Sequence, residues 1–436
     1  MERIEITGTG SELQGVGRLS DGRAAFVPGA IPGEIVDIEV TRDKGRYCEA
    51  SLVEVVVPSP DRIAPACPSY GVCGGCQGRH MRYERTLALK RQTVYDALSR
   101  IGSVGNPEVR ATLGCAEPDR TRNKAEYPIG CQDGKMVIGA FERGGKRIVP
   151  LSDCLLQSPA SAELLNAVKS HLNTWGFARH LRFLVPRVNH LGERMAILCG
   201  EAPIESEIRR VSPALPGVQS LWYCRLNRRY SHALDGNCTL ISGAPTLTER
   251  LFDLDFEISP QSFFQVNRRQ TETLYQTALE AAGIHPGCGL RLLDAYCGAG
   301  TIALSAARHV DSVLGVEIVP QAIENARRNA RINGIHNARF ICSDAAREIP
   351  RLLNRGECFD AVILDPPRKG ADSTLLESIV RSGIPVVSYV SCNPATQARD
   401  VKRLMERGYR FHCAQPVDMF PWTGHVETVV LMSRDI

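Results

Sequence analysis

Long apolar runs are missing from this chain of 436 residues: no window approaches the 18 or more apolar residues of a membrane-spanning helix. The start, Met1-Glu2-Arg3-Ile4-Glu5, has neither the basic cap nor the apolar core of a secretory leader. The expectation is a cytoplasmic chain with no membrane partner. A strong charge imbalance is also absent. The formal net charge is +4, too mild to identify a nucleic-acid partner by itself. The 38 glycines and 26 prolines follow no period, which excludes a collagen-like or low-complexity chain. Nor are the cysteines packed as in a disulfide scaffold. The 16 are scattered over the chain, and in a reducing compartment they are expected as thiols, metal ligands or catalytic groups.

What is present is ordinary for a globular protein: 43% hydrophobic and 23% charged residues. The length suggests about three domains at roughly 150 residues each. Residues 1–58 carry turn signals at short intervals (Gly15, Gly17, Asp21-Gly22, Pro28-Gly29, Pro32-Gly33) between short apolar stretches such as Ile35 to Val40 and Ala50 to Val57. This pattern predicts a five-strand barrel, closed off by a Pro58-Ser59-Pro60 linker. Residues 59–255 are less periodic and read as mixed α+β. A helix is expected from Tyr83 to Arg100, and hairpins at Asp133-Gly134 and Gly144-Gly145. Residues 256–436 alternate apolar strands with helices: strands at 290–295, 312–316, 338–342, 360–364 and 384–390, helices from Thr301, over 321–333, to Leu353 and over 396–407, then strands near 409–414 and 426–432. That alternation predicts an α/β, doubly wound, mostly parallel sheet. No internal repeat is visible.

Asp294-Ala-Tyr-Cys-Gly298-Ala-Gly300-Thr301 follows the first of these strands and opens a helix. Its glycines allow a ligand close to the backbone, although Ala303 replaces the third glycine of the full dinucleotide fingerprint. Glu317 ends the second strand, where a ribose-binding carboxylate belongs. Asp344 and Asp365 end the third and fourth. Four acidic residues, Asp294 included, would then face the crevice where open α/β sheets bind ligands. An acidic crevice disfavours a phosphate tail. It points away from NAD and towards S-adenosylmethionine, whose amine and sulfonium are positive.

Two further motifs lie on the same side of the predicted sheet: Asp365-Pro-Pro-Arg368-Lys369-Gly370 and Ser391-Cys392-Asn393-Pro394. Cys392 sits near a helix N-terminus, a position that can lower a thiol pKa. Glu427 interrupts an otherwise apolar final strand, and a carboxylate there is either paired structurally or functional.

Together with Gly424-His425-Val426-Glu427-Thr428, these motifs stand in a fixed order along the chain. The chain resembles the RNA uracil-5 methyltransferases, specifically the iron–sulfur type that acts on 23S ribosomal RNA. The resemblance implies a Rossmann-like class I methyltransferase domain and methyl transfer from S-adenosylmethionine to carbon 5 of uridine. By that resemblance Cys392 is the nucleophile that adds to carbon 6, and Glu427 is the base that removes the carbon 5 proton. Gln265, Tyr296, Glu317 and Asp365 match cofactor contacts of the family, with Thr301 and Asp344 as weaker ones. Phe263, in Phe263-Phe264-Gln265-Val266-Asn267, is expected either to stack on the extruded base or to pack in the core.

Cys67, Cys73 and Cys76, with the distant Cys154, offer four thiolates. Spacing alone leaves iron–sulfur and zinc open. The resemblance implies a [4Fe–4S] cluster, for which a folding or RNA-docking role is expected because thiolate addition needs no electron transfer.

The N-terminal barrel resembles a TRAM domain, an OB-like RNA-binding module, yet residues 1–57 hold six Lys/Arg against ten Asp/Glu. Its RNA role must then rest on local faces near Arg18, Arg23, Arg42, Lys44 and Arg46, or be small. Residues 77–147 hold 14 Lys/Arg against eight Asp/Glu, and Arg79, His80, Arg82, Arg85, Lys90 and Arg91 follow the cysteine motif directly. Arg122-Asn123-Lys124 matches a family motif, which makes Arg122 and Lys124 candidate substrate contacts. Such positions supply phosphate contacts or simply form a solvated helix face. The expected partner is RNA, namely 23S ribosomal RNA, with no obligate protein partner.

Other base methyltransferases fit less well. Enzymes acting on exocyclic amines follow their Pro-Pro with an aromatic residue, whereas Arg368 follows here. Cytosine-5 enzymes place a cysteine after that proline, which Pro366-Pro367 lacks. Two alternatives stay open: a transfer-RNA uracil-5 methyltransferase, and a non-catalytic iron–sulfur protein that binds RNA or senses redox state.

Overall fold

The computed structural model describes residues 1–434, so Asp435 and Ile436 at the end of the expected third domain lie outside the described residues. Strands β1 (Glu2–Thr9), β2 (Gly15–Arg18), β3 (Ala24–Val27), β4 (Ile35–Asp43) and β5 (Tyr47–Val57) close a barrel in the order β1-β2-β3-β5-β4. Alternation puts Ile4, Ile6, Ala25, Val27, Val36 and Ile38 inside it. The barrel is tied to the linker by Glu34, a wholly buried carboxylate that accepts from the Ile31 and Ser59 N–H groups and pairs with Arg62 at 2.5 Å. Burial alone would raise its pKa. Arg62 and the two backbone donors outweigh that and hold it below the ordinary carboxylate value.

Helix α1 runs over Tyr83–Arg100, the span that periodicity predicts. The region after it forms a seven-stranded sheet: β6 (Tyr127–Gln132), β7 (Lys135–Phe141), β8 (Ile148–Pro150), β9 (Leu181–Val188), β10 (Arg194–Gly200), β11 (Val218–Leu226) and β12 (Gly236–Gly243). Its order is β12-β11-β10-β9-β6-β7-β8. Leu164, Leu165 and Val168 of α2 (Pro159–His171) and Ile208 of α3 (Glu205–Val211) share a core with the inner face of this sheet. A hairpin, β13 (Leu247–Leu251) with β14 (Leu254–Ile258), and helix α4 (Arg268–Ala281) lead into the C-terminal sheet.

That sheet contains β15 (Arg291–Ala295), β16 (Ser312–Glu317), β17 (Ala338–Cys342), β18 (Ala361–Leu364), β19 (Val386–Ser391), β20 (Arg410–Val417) and β21 (Glu427–Ser433). Between them run α5 (Thr301–Ala307), α6 (Pro320–Ile332), α7 (Ala345–Asn354), α8 (Ser373–Ser382) and α9 (Pro394–Met405). The strand order is β17-β16-β15-β18-β19-β21-β20, parallel except for β21 against β19 and β20. The inner strands are buried on both faces, as Leu292, Leu293, Val362, Ile363, Val387 and Val390 show. The chain first winds outward from β15 through β16 to β17, then returns to the other side of β15 as β18. The crevice between β15 and β18 is therefore the switch point where such sheets bind ligands. Among the described residues no helix is long and apolar enough to cross a membrane.

Candidate active site

The loop after β15 is shaped by left-handed backbone. Tyr296, Gly298 and Gly300 have φ of 69°, 54° and 80°. Gly300 caps α5, and a Cβ there would lie 3.1 Å from the Ala326 Cβ and the Phe340 ring, so the helix packs closely on α6 and β17. A Cβ on Gly298 would meet nothing within 4 Å and would project into open space. Glu317 braces the same loop: its Oε2 accepts from the Gly298 N–H at 3.2 Å and its Oε1 from Val319 at 2.9 Å. Next to Glu317 the side chain of Ile318 stands in solvent, an apolar surface that sequence reasoning did not single out. The Thr301 hydroxyl meets the Tyr275 hydroxyl at 3.0 Å, and the Tyr296 hydroxyl accepts from the Asp372 N–H at 3.4 Å.

The four acidic residues differ in role. Asp365 follows the end of β18 and is half-buried, and burial pushes its carboxyl up to about 7. Asp294 does not present itself to solvent. It is fully buried, both oxygens lack a hydrogen-bond partner, and burial with Asp365 beside it pushes its pKa well above the ordinary value. Asp344 serves the backbone instead, where its Oδ1 accepts from the Ala346 N–H at 3.0 Å and caps α7. Of the four, Asp294 is fully buried, whereas Glu317, Asp344 and Asp365 keep part of their surface exposed at the strand ends. A loop of open glycine backbone, partly exposed carboxylates and an exposed isoleucine fits a ligand with a cationic centre and a flat apolar part, as S-adenosylmethionine has.

Cys392 and Glu427 meet across an antiparallel seam. Ser391 of β19 pairs with Thr428 of β21, so one further step sets Cys392 beside Glu427. Glu427 is buried; burial and Asp365 push its carboxyl up to about 8, and Arg368 pulls against them. The expected lowering of the Cys392 thiol does not occur in this state. Burial raises its pKa, Glu427 and Asp365 add to that, and Arg368 opposes it. The helix end that was expected to favour thiolate is outweighed by desolvation and two carboxylates. The loops carrying Asp365 and Cys392 are clamped together: Asn393 Nδ2 and Thr396 Oγ1 each donate to the Arg368 carbonyl at 3.1 Å.

Phe263 is 74% exposed, so the core-packing alternative for it is excluded. Its loop is held on both sides. The Arg187 Nη2 donates to the Ser262 carbonyl at 2.6 Å, and Asn123 donates its N–H to the Val266 carbonyl at 2.8 Å and its Nδ2 to the Gln265 carbonyl at 3.1 Å. Gln265 itself is buried beneath. The Arg122-Asn123-Lys124 segment thus reaches the candidate site through Asn123, the member that sequence reasoning passed over. Lys124 is engaged with Glu126 at 2.8 Å. Arg122 is half-buried, with its guanidinium 5.9 Å from the Phe420 ring centre.

Several positions of the basic stretch turn out to be internal. Lys90 is wholly buried in an ion pair with Asp418 and donates to the Phe420 carbonyl at 3.0 Å. Tyr83 donates to the same carboxylate at 2.6 Å. Arg79 is buried over the Trp422 ring at 4.9 Å and pairs with Asp119 at 2.7 Å. His80 is buried too, which lowers its pKa to about 4. No local pattern marks Lys90, because its partner lies more than 300 residues away in sequence.

Cys67, Cys73, Cys76 and Cys154 line one pocket of about 380 Å³, counting its open mouth, with Tyr70, Arg79 and Asp153. Among the described residues no group of three or more His, Cys, Asp or Glu is placed to hold a metal ion. Four cysteine thiols lining one pocket are a donor set that either a zinc ion or an iron–sulfur cluster would accept. The pocket is connected to the candidate site. The Gln77 and Gly78 N–H groups both donate to the Trp422 carbonyl at 2.9 Å, five residues before Glu427. The barrel touches the same segment: a Cβ on Gly424 would fall 2.3 Å from the Ser11 carbonyl oxygen.

Residues 83–435 match the tRNA (uracil-5-)-methyltransferase family, and residues 2–53 match the TRAM domain. An uncharacterized RNA methyltransferase of Halalkalibacterium halodurans is 38% identical over 94% of this chain and 92% of its own length. One of Caldanaerobacter subterraneus is 39% identical over 99% and 97%. The crystal structure of the Pyrococcus abyssi tRNA (uracil-54, C5)-methyltransferase with S-adenosyl-L-homocysteine is similar, with a TM-score of 0.78 and 29% identity over 99% of this chain and 100% of that one.

Proposed function

We propose that this chain, which belongs to the tRNA (uracil-5-)-methyltransferase family, methylates carbon 5 of uridine in 23S ribosomal RNA through a covalent adduct on Cys392. At the coarser level it is an S-adenosylmethionine-dependent RNA uracil-5 methyltransferase. The observation that carries the covalent step is the register that sets Cys392 beside Glu427 at the mouth of the β15–β18 crevice.

Carbon 5 of uracil is a weak nucleophile. The Cys392 sulfur adds to carbon 6, and the displaced electron pair forms an enolate with density on carbon 5. S-adenosylmethionine, when bound, supplies an electrophilic methyl group on a positive sulfonium. Glu317 and Asp365 border its place, with Gln265, Tyr296 and Thr301 on the adjoining loops and Asp344 acting through the α7 cap. Glu427 takes the carbon 5 proton, and the electrons of that C–H bond reform the 5,6 double bond while the Cys392 sulfur leaves as thiolate. Phe263 offers the extruded base a stacking face. Arg122 lies over the Phe420 ring and keeps part of its surface exposed for an RNA contact, and Lys124 reaches RNA only if it leaves Glu126.

Cys67, Cys73, Cys76 and Cys154 are the residues that would hold a [4Fe–4S] cluster. It would supply a rigid tie between the Cys67–Cys76 loop and Cys154, and so brace Trp422. This four-cysteine pocket supports ribosomal RNA as substrate. Transfer RNA is the second reading, supported by the substrate of the Pyrococcus abyssi relative. Nucleoside mass spectrometry of unmodified 23S ribosomal and transfer RNA transcripts, each incubated with the protein and S-adenosylmethionine, tests both. Product in ribosomal RNA alone is expected. Product in transfer RNA alone selects the second reading, and product in neither refutes both.

A further inference from the structure

The hairpin between β11 and β12 carries Arg225, Arg228 and Arg229, all exposed. Over residues 225–237 they face one acidic residue, Asp235, for a formal charge of +2. Asp235 is occupied within the turn. It accepts from Asn227 Nδ2 at 2.7 Å, the Ser231 N–H at 2.9 Å and the Ser231 hydroxyl at 3.1 Å. No Asp or Glu forms an ion pair with the three arginines among the described residues, whereas Arg182, Arg194 and Arg210 nearby in the same sheet region pair with Glu201, Glu163 and Glu207. Sequence reasoning placed the basic RNA-facing surface at residues 77–147, where Arg79 and Lys90 prove to be internal. This second basic group was not singled out.

The hairpin is fixed to the loop that presents Phe263. The Gln261 Nε2 donates to the Leu234 and Gly236 carbonyls, both at 3.1 Å. Phe263 follows Gln261 by two residues, at most about 7 Å of chain. Tyr230 holds the tip against β9 through an edge contact with Phe183, at 6.0 Å between ring centres. Three free guanidinium groups thus sit on a braced element joined directly to an exposed aromatic ring. Guanidinium recognises phosphate bidentately, and a ring beside such groups is the arrangement that holds a single strand.

We propose that the β11–β12 hairpin is an RNA-backbone contact site, in which Arg225, Arg228 and Arg229 bind phosphates of the strand flanking the base that Phe263 receives. This rests on the RNA methyltransferase reading and adds where the strand lies. It also gives the central sheet a role in base extrusion, since phosphate contacts on the flanking strand offset the unstacking cost.

The test compares the full-length wild type, loaded with S-adenosylhomocysteine, with R225Q/R228Q/R229Q in binding an unmodified 23S ribosomal RNA transcript across a salt series. A control, R331Q/R355Q/R407Q, removes the same charge from exposed positions on the C-terminal domain. The hairpin variant is expected to lower the slope of log affinity against log salt by about 2 to 3, while the control leaves it within about one contact of wild type. Affinity for S-adenosylhomocysteine without RNA should be unchanged, which shows that the variant is folded. In turnover the variant should raise KM for RNA by more than about tenfold and keep kcat. An unchanged slope, or an equal fall in the control, overturns the assignment and leaves the arginines to another partner such as an acidic protein. Methylation by the wild type is read separately on the same transcript. Absence of product counts against the proposed function, while the slopes still decide the hairpin.

Discussion

Cys392 and Glu427 face each other where the antiparallel pairing of β19 with β21 runs out, one step beyond Ser391 and Thr428. The reversal of β21 matters for this. A parallel final strand would end on the same side as β19 but could not bring its first residue to that end. The antiparallel hairpin of β20 and β21 starts β21 at the ligand side, so Glu427 enters the site as the first residue of its strand.

Removing the sulfur should abolish turnover and spare cofactor affinity. Cys392→Ala is expected to give no 5-methyluridine above background and to bind S-adenosylhomocysteine within about twofold of wild type by calorimetry, because Glu317 and Asp365 lie on other loops. Retained turnover would remove Cys392 as nucleophile.

The pH profile follows from two raised pKa values. Glu427 must be ionised to accept a proton, and its carboxyl is pushed up to about 8. Cys392 must be thiolate, and its pKa is raised by burial and by Glu427. Both requirements act in one direction, so single-turnover kcat/KM should rise from pH 6 towards pH 9, roughly tenfold per unit while one group limits. A flat profile, or one falling over that range, would contradict a buried, acid-flanked thiol and carboxyl.

Lys90 and Asp418 should matter for stability. Lys90→Met strands a buried carboxylate and is expected to cost about 3–5 kcal/mol, measured by denaturant unfolding. It should also loosen Phe420, whose carbonyl Lys90 holds. A loss below about 1 kcal/mol would show that the pair contributes little.

The cysteine pocket makes its own prediction. Anaerobically purified protein should contain iron and acid-labile sulfide, and Cys154→Ser should lose most of both. Because Gln77 and Gly78 hold Trp422, cluster loss should increase protease sensitivity between residues 418 and 424. Zinc in place of iron, at one atom per chain, would contradict the proposed cluster.

Much of this architecture was legible in the sequence because its signals are local. The alternation of strand and helix after residue 286, the turn spacing of the barrel and the 3.6-residue period of α1 each need only a short window. Glu427 was visible as a carboxylate in an apolar strand, and the strand register sets it beside Cys392. Features that depend on distant partners were not legible. Lys90 looked like one more basic residue until Asp418 was seen to bury with it. The Cys392 environment was misjudged because a helix end is visible in sequence and the neighbouring carboxylates are not. Asp294 and Asp365 are equivalent in the sequence pattern, and their solvent exposure distinguishes them. The central sheet lacked a clear period because it mixes parallel and antiparallel neighbours.

The most direct test of the covalent mechanism uses Glu427→Gln with S-adenosylmethionine and an unmodified 23S ribosomal RNA transcript. Addition and methyl transfer can proceed in this variant, but removal of the carbon 5 proton stalls. Nuclease and protease digestion followed by tandem mass spectrometry should find a methylated uridine nucleotide linked to the peptide bearing Cys392. Normal turnover without an adduct, or an adduct on any other cysteine, would contradict the account.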